Sequence, residues 1–322
     1  MDGLSSVLGA NGERRRLIDK LRRDAGSLVV EALSVSSVQE ILLNPDGIVW
    51  LDKKDSGLCR AGRMEASEAY SFISSVASSL GATVGPRNPL IEGELVLDGS
   101  RFQGVVPPVV AAPTFAIRKR TAGLVTINDY VDNGCLARHE ANRIRQSIER
   151  RENIIVSGGT SSGKTTLVNA LLGEVAAIHP THRLVVLEDT VELQPRTENN
   201  ICLKSSDVCS LEMLLRSTLR LRPDRIVIGE VRGREAHSML KAWNTGHPGG
   251  VCSLHANSAR HALTRLEQLV GESVSSSSRE IIGDAVDLII HIERDDLSGK
   301  RAVTEIISVS GYERGEYQIT FV

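Results

Sequence analysis

The segment that decides the fold of this 322-residue chain reads Ile154-Ile155-Val156-Ser157-Gly158-Gly159-Thr160-Ser161-Ser162-Gly163-Lys164-Thr165-Thr166. It contains an apolar strand, the complete pattern G-x-x-x-x-G-K-[ST] and the start of a predicted helix. Glycines in such a loop let successive backbone N–H groups point inward, and the new helix adds its positive dipole end. Residues 158–166 are therefore predicted to bind nucleotide phosphates, with Lys164 at the β- and γ-phosphates and Thr165 on Mg²⁺.

Around this loop, the sequence from residue 127 onward alternates buried strands with helices, the pattern of a parallel sheet covered on both faces. We predict an α/β domain over residues 128–322 that ends in a β-meander from residue 287. The strands are expected at residues 153–156, 184–187, 225–228 and 251–254, and the helices at residues 138–150, 164–172, 211–221, 233–243 and 260–270.

The first 120 residues have a different organisation and predict a smaller α+β domain. Residues 1–35 hold a basic amphipathic helix, and a hairpin follows around Asn44-Pro45-Asp46-Gly47. A helix at residues 65–80 and strands at residues 94–97 and 101–106 complete the domain. Residues 121–127 are predicted to be a linker.

A second buried strand ends in an acid, in the sequence Asp224-Arg225-Ile226-Val227-Ile228-Gly229-Glu230. This is the placement of a Walker B carboxylate, so Glu230 is the candidate to orient or deprotonate the attacking water and to contact the metal. Most P-loop enzymes carry a further acid before this position, where this chain has Gly229. A surface acid after a strand is the alternative.

Another core strand leads into Glu188-Asp189-Thr190-Val191-Glu192, at the end where open α/β sheets place their ligands. Clustered carboxylates repel one another unless a cation neutralises them, and Mg²⁺ is the obvious cation here. Glu188 is the best candidate for a catalytic and metal-binding role. Asp189 and Glu192 remain open to interpretation as ordinary loop acids.

Two histidines flank the last predicted parallel strand, in Gly246-His247-Pro248-Gly249-Gly250 and in Ser253-Leu254-His255-Ala256-Asn257. A histidine at the end of a strand can donate to a phosphate or relay its state to a neighbour. Either histidine alone would more often be structural. Because it follows the other three motifs in this order, His255 is assigned a catalytic role.

Composition excludes several classes of protein. A net charge of −2 and an aromatic content of 3% do not support direct nucleic-acid binding. Five widely spread cysteines offer no zinc-site spacing. The apolar runs are too short to span a bilayer and no signal peptide is apparent, so we expect a cytoplasmic protein. The basic side of the first helix, with Arg14, Arg15 and Arg16, is either a solvated face or a docking face for anionic lipid.

The four motifs together resemble the hexameric ATPases of type II and type IV secretion, and Thr245–Gly250 with Ala116–Lys119 resemble the conjugal-transfer branch of that family. The family also has glycine before its Walker B glutamate. Two features distinguish this chain: it lacks the tetracysteine module usual in type II relatives, and it has Ser161 where many members have glycine.

The resemblance implies a RecA-like carboxy-terminal domain on which the amino-terminal domain rests, with ATP between them. It also implies that Arg101 and Arg118 supply positive charge to the phosphates; a cross-strand ion pair or an exposed strand charge is the alternative for each. The expected partners are further copies of the chain, in a ring expected to be a hexamer, and inner-membrane secretion components at whose cytoplasmic face it would lie.

The expected function is therefore Mg²⁺-dependent ATP hydrolysis that powers a secretion or conjugation machine. Two alternatives use the same fold. A nucleic-acid-translocating RecA-like ATPase would need a basic, aromatic strand path, and a nucleotide-gated assembly scaffold would show little turnover. No N-K-x-D motif follows the phosphate-binding loop, which disfavours a GTPase.

Overall fold

The computed structural model describes residues 2–54, 56–119, 125–271, 278–295 and 299–322, with side chains in the first helix from Arg15 onward. The chain divides into two compact units, Met1–Ala122 and Gly123–Val322. Most of the predicted linker at residues 121–127 lies outside the described residues.

Unit 1 is built on an antiparallel sheet in the order β3-β2-β1-β6-β5-β4. Its apolar face is covered by two helices that pack against each other. Its elements are α1 (Asp2–Ser34), β1 (Val38–Leu43), β2 (Ile48–Lys53), β3 (Gly57–Arg63), α2 (Ala66–Ser79), β4 (Leu90–Glu94), β5 (Arg101–Val105) and β6 (Thr114–Arg118).

The first helix buries its apolar side in the core of unit 1. Leu21 and Ala25 lie four residues apart before a kink at Gly26 (φ 74°, ψ 163°), and Val29 and Ala32 lie three apart after it. All four are at most 4% exposed, as expected of helix faces that pack on a core. The basic residues between them are exposed, namely Arg15, Arg16, Lys20, Arg22 and Arg23. The apolar stripe of this described part therefore faces protein, and only its charged side is free to meet a surface.

Two details of unit 1 differ from prediction. The prediction of a strand at residues 94–97 is wrong, because β4 ends at Glu94 and a turn follows. In this turn Leu95 N donates to Ser100 O at 2.8 Å, and Ser100 N donates to Asp98 Oδ1 at 3.0 Å. The third strand was not predicted, because Gly57–Arg63 is an edge strand of small and charged residues with little apolar alternation.

Unit 2 has a mixed sheet in the order β14-β13-β12-β7-β11-β10-β8-β9. The strands from β12 to β9 run parallel, and β13 and β14 extend the sheet as an antiparallel meander. Its elements are α3 (Ile127–Asp132), α4 (Arg138–Glu149), β7 (Ile154–Gly158), α5 (Lys164–Ile178), β8 (Leu184–Glu188), β9 (Asn200–Lys204), α6 (Leu211–Thr218), β10 (Arg225–Val231), α7 (Glu235–Asn244), β11 (Val251–His255), α8 (Ala259–Gly271), α9 (Ser278–Ala285), β12 (Leu288–Arg294), β13 (Arg301–Glu313) and β14 (Glu316–Phe321).

Alternate residues of the central strands enter two separate cores. Ile155 and Val185 pack with the helices α6 to α9, whereas Ile154, Val156 and Leu184 pack with α3 to α5. A strand buried on both faces reads as a continuous apolar run, which is why the sequence located these strands well. The α/β class of unit 2 and the α+β class of unit 1 are confirmed.

Among the described residues, no helix is both long enough and apolar enough to cross a membrane.

Candidate active site

The loop between β7 and α5 has a backbone that few residue types adopt. Ser161 and Gly163 have φ angles of 58° and 102°. A Cβ at Gly158 would collide with the carbonyl oxygen of Ile292, whereas one at Gly159 would meet nothing within 4 Å. Because α5 begins at Lys164, the loop brings the free N–H groups of a helix N-terminus to the carboxyl edge of the parallel strands.

The Lys164 side chain is folded into this loop and is only 8% exposed. Its Nζ donates to the carbonyl oxygens of Gly158 at 3.1 Å and Gly159 at 2.8 Å. The same Nζ lies 3.3 Å from Nδ1 of His255. An ammonium group has no lone pair to offer, so Nδ1 is the acceptor and the proton of a neutral imidazole is on Nε2.

His255 and Arg232 hold the carboxyl group of Glu230 between them. Nε2 of His255 is in close polar contact with Oε1 of Glu230 at 2.7 Å, outside ideal hydrogen-bond alignment, and Arg232 Nη2 donates to Oε2. Burial, followed by the charge of Lys164, lowers the pKa of His255, although Glu230 opposes the shift. The hydrogen bond from Arg232 to Glu230 raises the pKa of the arginine. A continuous polar chain therefore runs from Lys164 to Arg232.

Glu188 is the side chain that explains Gly229. It is 3% exposed, and its Oε1 accepts from the backbone N–H groups of Glu192 at 2.9 Å and Leu193 at 3.0 Å. Its Cγ would lie 2.8 Å from a Cβ at position 229, closer than two carbon atoms can approach without strain. Gly229 therefore makes room for a carboxyl group that comes from the neighbouring strand β8 and shapes the following turn.

Glu192 is the acid that meets Thr165. Thr165 Oγ1 donates to Oε2 of Glu192 at 3.0 Å, whereas Asp189 accepts a hydrogen bond from Ser205. The sequence left Glu192 open as an ordinary loop acid, since nothing local showed that the turn after Glu188 leads back to the start of α5. Asn169 fixes this turn by donating to the carbonyl of Glu192 at 3.3 Å.

The predicted metal residues Thr165, Glu188 and Glu230 lie on one edge of the sheet but make different contacts. Within the described residues, no group of three or more His, Cys, Asp or Glu side chains is arranged to hold a metal ion. Mg²⁺ in nucleotide sites is bound by one or two protein oxygens together with water and phosphate. A hydroxyl and a carboxyl group 3.0 Å apart, from Thr165 and Glu192, fit that donor set. The metal roles stay predictions.

Arg101 and Arg118 lie in unit 1, directly opposite each other on β5 and β6. The register continues to Glu94 beside Arg101 and to Glu40 beside Arg118. Nε of Arg118 is 3.9 Å from Oε1 of Glu40, a weak contact in keeping with the cross-strand alternative. The four residues form one lateral row of charges on the same face of the sheet. The role of the arginines toward phosphate stays a prediction.

His247 is not part of this site. Strand β11 runs parallel to β7 with His255 opposite Gly158 and Val251 opposite Ile154, so the residues before Val251 lie at the other edge of the sheet. There the buried Arg225 donates to the carbonyl of Gly249 at 2.9 Å. The glycine-rich segment before β11 is a structural support for the strand.

The open space above Gly159 and Thr160 continues into a cavity of about 440 Å³. Its lining includes His255, Asn257 and Arg265.

Two arginines near the loop were missed by sequence reasoning. Arg232 lies just after the end of β10 and two residues from Glu230, so its place beside the strand's terminal acid was the available signal. Arg301, whose Nε donates to the carbonyl of Ser161 at 3.3 Å, is 140 residues away in the chain and gives no local signal.

Comparison with known proteins gives similarity over most of the chain. The chain is 47% identical over 304 residues to the conjugal transfer protein TrbB of Rhizobium radiobacter, covering 94% of this chain and 93% of that protein. It is 32% identical to a putative conjugal transfer protein of Mycobacterium tuberculosis, covering 85% and 81%. The VirB11 protein of Rhizobium radiobacter is 29% identical, covering 81% and 87%. The predicted resemblance to the conjugal-transfer branch is confirmed.

Solved structures show the same fold. The ATPase DotB of Legionella pneumophila matches with a TM-score of 0.64 at 18% identity, covering 87% of this chain and 79% of that one. The pilus retraction motor PilT with bound ADP matches with a TM-score of 0.63 at 18% identity, covering 91% and 81%. The family model described as type II/IV secretion system protein matches residues 99–309. On this evidence, the chain belongs to the type II/IV secretion system protein family.

Proposed function

We propose that this chain hydrolyses ATP with Mg²⁺ and that hydrolysis drives a type IV secretion or conjugation machine. The observation that carries the proposal is the convergence of Lys164, Glu230 and His255 at the ends of three adjacent parallel strands or their loops. Identity of 47% with a conjugal transfer protein over 94% of the chain supports the type of machine.

The residues at this edge fit a nucleotide. The free N–H groups of a helix N-terminus attract phosphate, and the space above Gly159 is open. Residues 158–166 would bind the phosphates, with Lys164 exchanging its two carbonyl contacts for phosphate oxygens. Thr165 would hold Mg²⁺ and Glu192 would take part, with Glu188 positioning the turn. When bound, Mg²⁺ supplies positive charge that offsets the charge of the phosphates.

Glu230 would orient or deprotonate the attacking water. Its carboxyl group is contacted on both oxygens, by His255 and by Arg232, so its direction is fixed before substrate arrives. Because the lowered pKa of His255 keeps the imidazole neutral near neutral pH, its Nε2–H faces Glu230 while Nδ1 faces Lys164. His255 would thereby link the phosphate-facing lysine to the general base.

Two variants separate binding from chemistry. Lys164→Ala should weaken nucleotide binding and turnover together, whereas Glu230→Gln should retain ATP and lose about 10²-fold or more in the rate of phosphate release. Glu212→Gln, in an exposed helix pair with Arg216, is the matched control and should hydrolyse ATP like the wild type. Wild-type turnover in Glu230→Gln would remove Glu230 from the mechanism, and absent turnover in the wild type would favour a nucleotide-gated scaffold.

We also propose that the active form is a homo-oligomeric ring, a hexamer, that contacts inner-membrane components at their cytoplasmic side. The support for a ring is family membership. In such a ring each contact is heterologous and the contacts close by rotation. Native mass spectrometry with ATP and Mg²⁺ should give a single ring mass. A strict monomer under every nucleotide condition would contradict this part of the proposal.

A further inference from the structure

The phosphate-binding loop is supported from the side opposite to the catalytic acids. Strand β7 lies between β11, which carries His255, and β12, which continues through a hairpin into β13. A side chain at Gly158 is excluded by the carbonyl oxygen of Ile292 on β12 and by Oγ of Ser162, and Ile292 Cδ1 would lie 3.5 Å from a Cβ at Gly163. The β12–β13 hairpin is therefore a wall against the loop.

Arg301, the first residue of β13, is the charged residue of this wall that contacts the loop. Its Nε donates to the carbonyl oxygen of Ser161 at 3.3 Å, and its Cδ would lie 2.9 Å from a Cβ at Gly163. The side chain is half-buried. Its stem thus covers one loop residue while its guanidinium group holds the carbonyl of another.

Ser161 needs such a contact because of its backbone conformation. Its φ of 58° is in the left-handed region, which residues other than glycine adopt only at a cost in free energy. The peptide unit after Ser161 leads to Ser162, whose N–H donates to the carbonyl of Gly159 at 3.4 Å, and to Gly163 and the first N–H groups of α5. A loop that relaxed at Ser161 would turn these groups away from the phosphates.

We propose that Arg301 is a positioning residue for nucleotide binding, acting through the carbonyl of Ser161 to keep the phosphate-binding loop in its binding conformation. The inference rests on the proposed nucleotide site and adds a residue outside its four sequence motifs. It makes the affinity for nucleotide depend on a hairpin that carries none of the candidate catalytic residues.

The test measures the affinity of the full chain for the fluorescent analogue mant-ADP, together with kcat for ATP at saturation. Arg301→Met keeps an unbranched stem over Gly163 but removes the donor, so the dissociation constant should rise about tenfold, or ~1.4 kcal/mol. The kcat at saturation should change by less than about threefold, because Glu230 and His255 are carried by β10 and β11, on the other side of β7 from β13. Arg294→Met, at the exposed position opposite Arg301 on β12, is the control for loss of charge and should bind like the wild type.

A double-mutant cycle identifies the route of the effect. In a Ser161→Gly background, where glycine adopts the left-handed conformation without cost, Arg301→Met should weaken binding by less than about threefold. An undiminished tenfold loss in that background would mean that Arg301 contacts the nucleotide directly and would overturn the positioning role. If Arg301→Met does not fold, Arg301→Lys, which keeps the charge and lacks the Nε donor, takes its place. Failure of the wild type to bind mant-ADP would instead refute the nucleotide site itself.

Discussion

The contact between Glu188 and Gly229 predicts a large effect from one methyl group. Gly229→Ala places a Cβ 2.8 Å from Glu188 Cγ and 3.1 Å from its Oε1. The backbone at Gly229 is not in the left-handed region, so alanine meets no conformational penalty of its own. The whole effect must come from moving Glu188, which is buried and accepts two backbone hydrogen bonds.

The magnitude follows from these contacts. Forcing an extra carbon into a packed site costs about 1–3 kcal/mol, and each lost hydrogen bond to Glu188 would add about 1 kcal/mol. For a unit of this size, 1 kcal/mol lowers the melting temperature by about 2–4 °C, so the packing cost alone should lower it by roughly 2–12 °C, and each lost hydrogen bond should lower it by about 2–4 °C more. Displacement of Glu188 also releases the turn that sets Glu192 beside Thr165, so turnover should fall.

The assay is thermal unfolding followed by circular dichroism, with ATP turnover measured below the transition. Gly173→Ala is the matched control: it lies within α5, a Cβ there would meet only ordinary contacts at 3.8 Å, and the change should stabilise by about 0.5–1 kcal/mol through helix propensity. In a Glu188→Ala background the cost of Gly229→Ala should shrink. An unchanged melting temperature in Gly229→Ala, or an equal cost in both backgrounds, would refute the packing argument.

Three further predictions concern charged groups. Arg101→Ala and Arg118→Ala should each lower ATP turnover by at least about an order of magnitude if the arginines stabilise transferred phosphate, because arginines at such sites raise kcat by ~10³ or more. A change below about threefold would mean that the arginine has only a structural role in the row of charges across the sheet. The chain should float with anionic liposomes at low salt, because each basic residue near such a surface adds about 1 kcal/mol, and reversal of charge at Arg15 and Arg16 should abolish flotation if the exposed side of α1 is the contact. Burial raises the pKa of Asp287, so the folded state holds this proton more tightly than the unfolded state. Stability should therefore fall as the pH rises from the ordinary pKa of an aspartate through the raised pKa of Asp287. Asp287→Asn should flatten that part of the curve of melting temperature against pH.

Controls keep these outcomes interpretable. Arg60→Ala removes an exposed arginine from β3 and should leave turnover unchanged, which separates a general loss of charge from an effect at Arg101 or Arg118. Flotation that persists after charge reversal would exclude α1 as the contact. A slope in the Asp287→Asn variant equal to that of the wild type would assign the pH dependence to other groups.

The residues that sequence reasoning placed well are those whose neighbours are set by one local pattern. A continuous apolar strand followed by the glycine-rich loop fixes where Lys164 and Thr165 lie, and parallel strands bring Glu188, Glu230 and His255 to one edge. The edge strands β3 and β9 were missed because their residues are half-exposed and their apolar runs, such as Ile201–Leu203 in β9, are short.

Contacts made by returning segments could not be predicted. Glu192 reaches Thr165 only because Glu188 and Asn169 shape the turn between them, and Arg301 reaches Ser161 only through the register of β12 on β7. His247 showed the converse limit, since its glycine-rich surroundings resembled a site while the strand direction puts it at the far edge. Local sequence identifies residues that are capable of catalysis or binding, but the order and direction of the strands determine which of them come into contact.

The central position of β7 in its sheet also sets when the nucleotide site can form. Its neighbours β11 and β12 are late segments of the chain: Asn153, just before β7, bonds to Gly250 across 97 residues, and Ser157 bonds to His291 across 134 residues. Closing such long loops is slow compared with forming local hairpins such as β13–β14. During synthesis the glycine-rich loop therefore emerges long before β11 and β12, the two strands that flank β7, and we expect nucleotide binding to begin only when nearly the whole chain has been made.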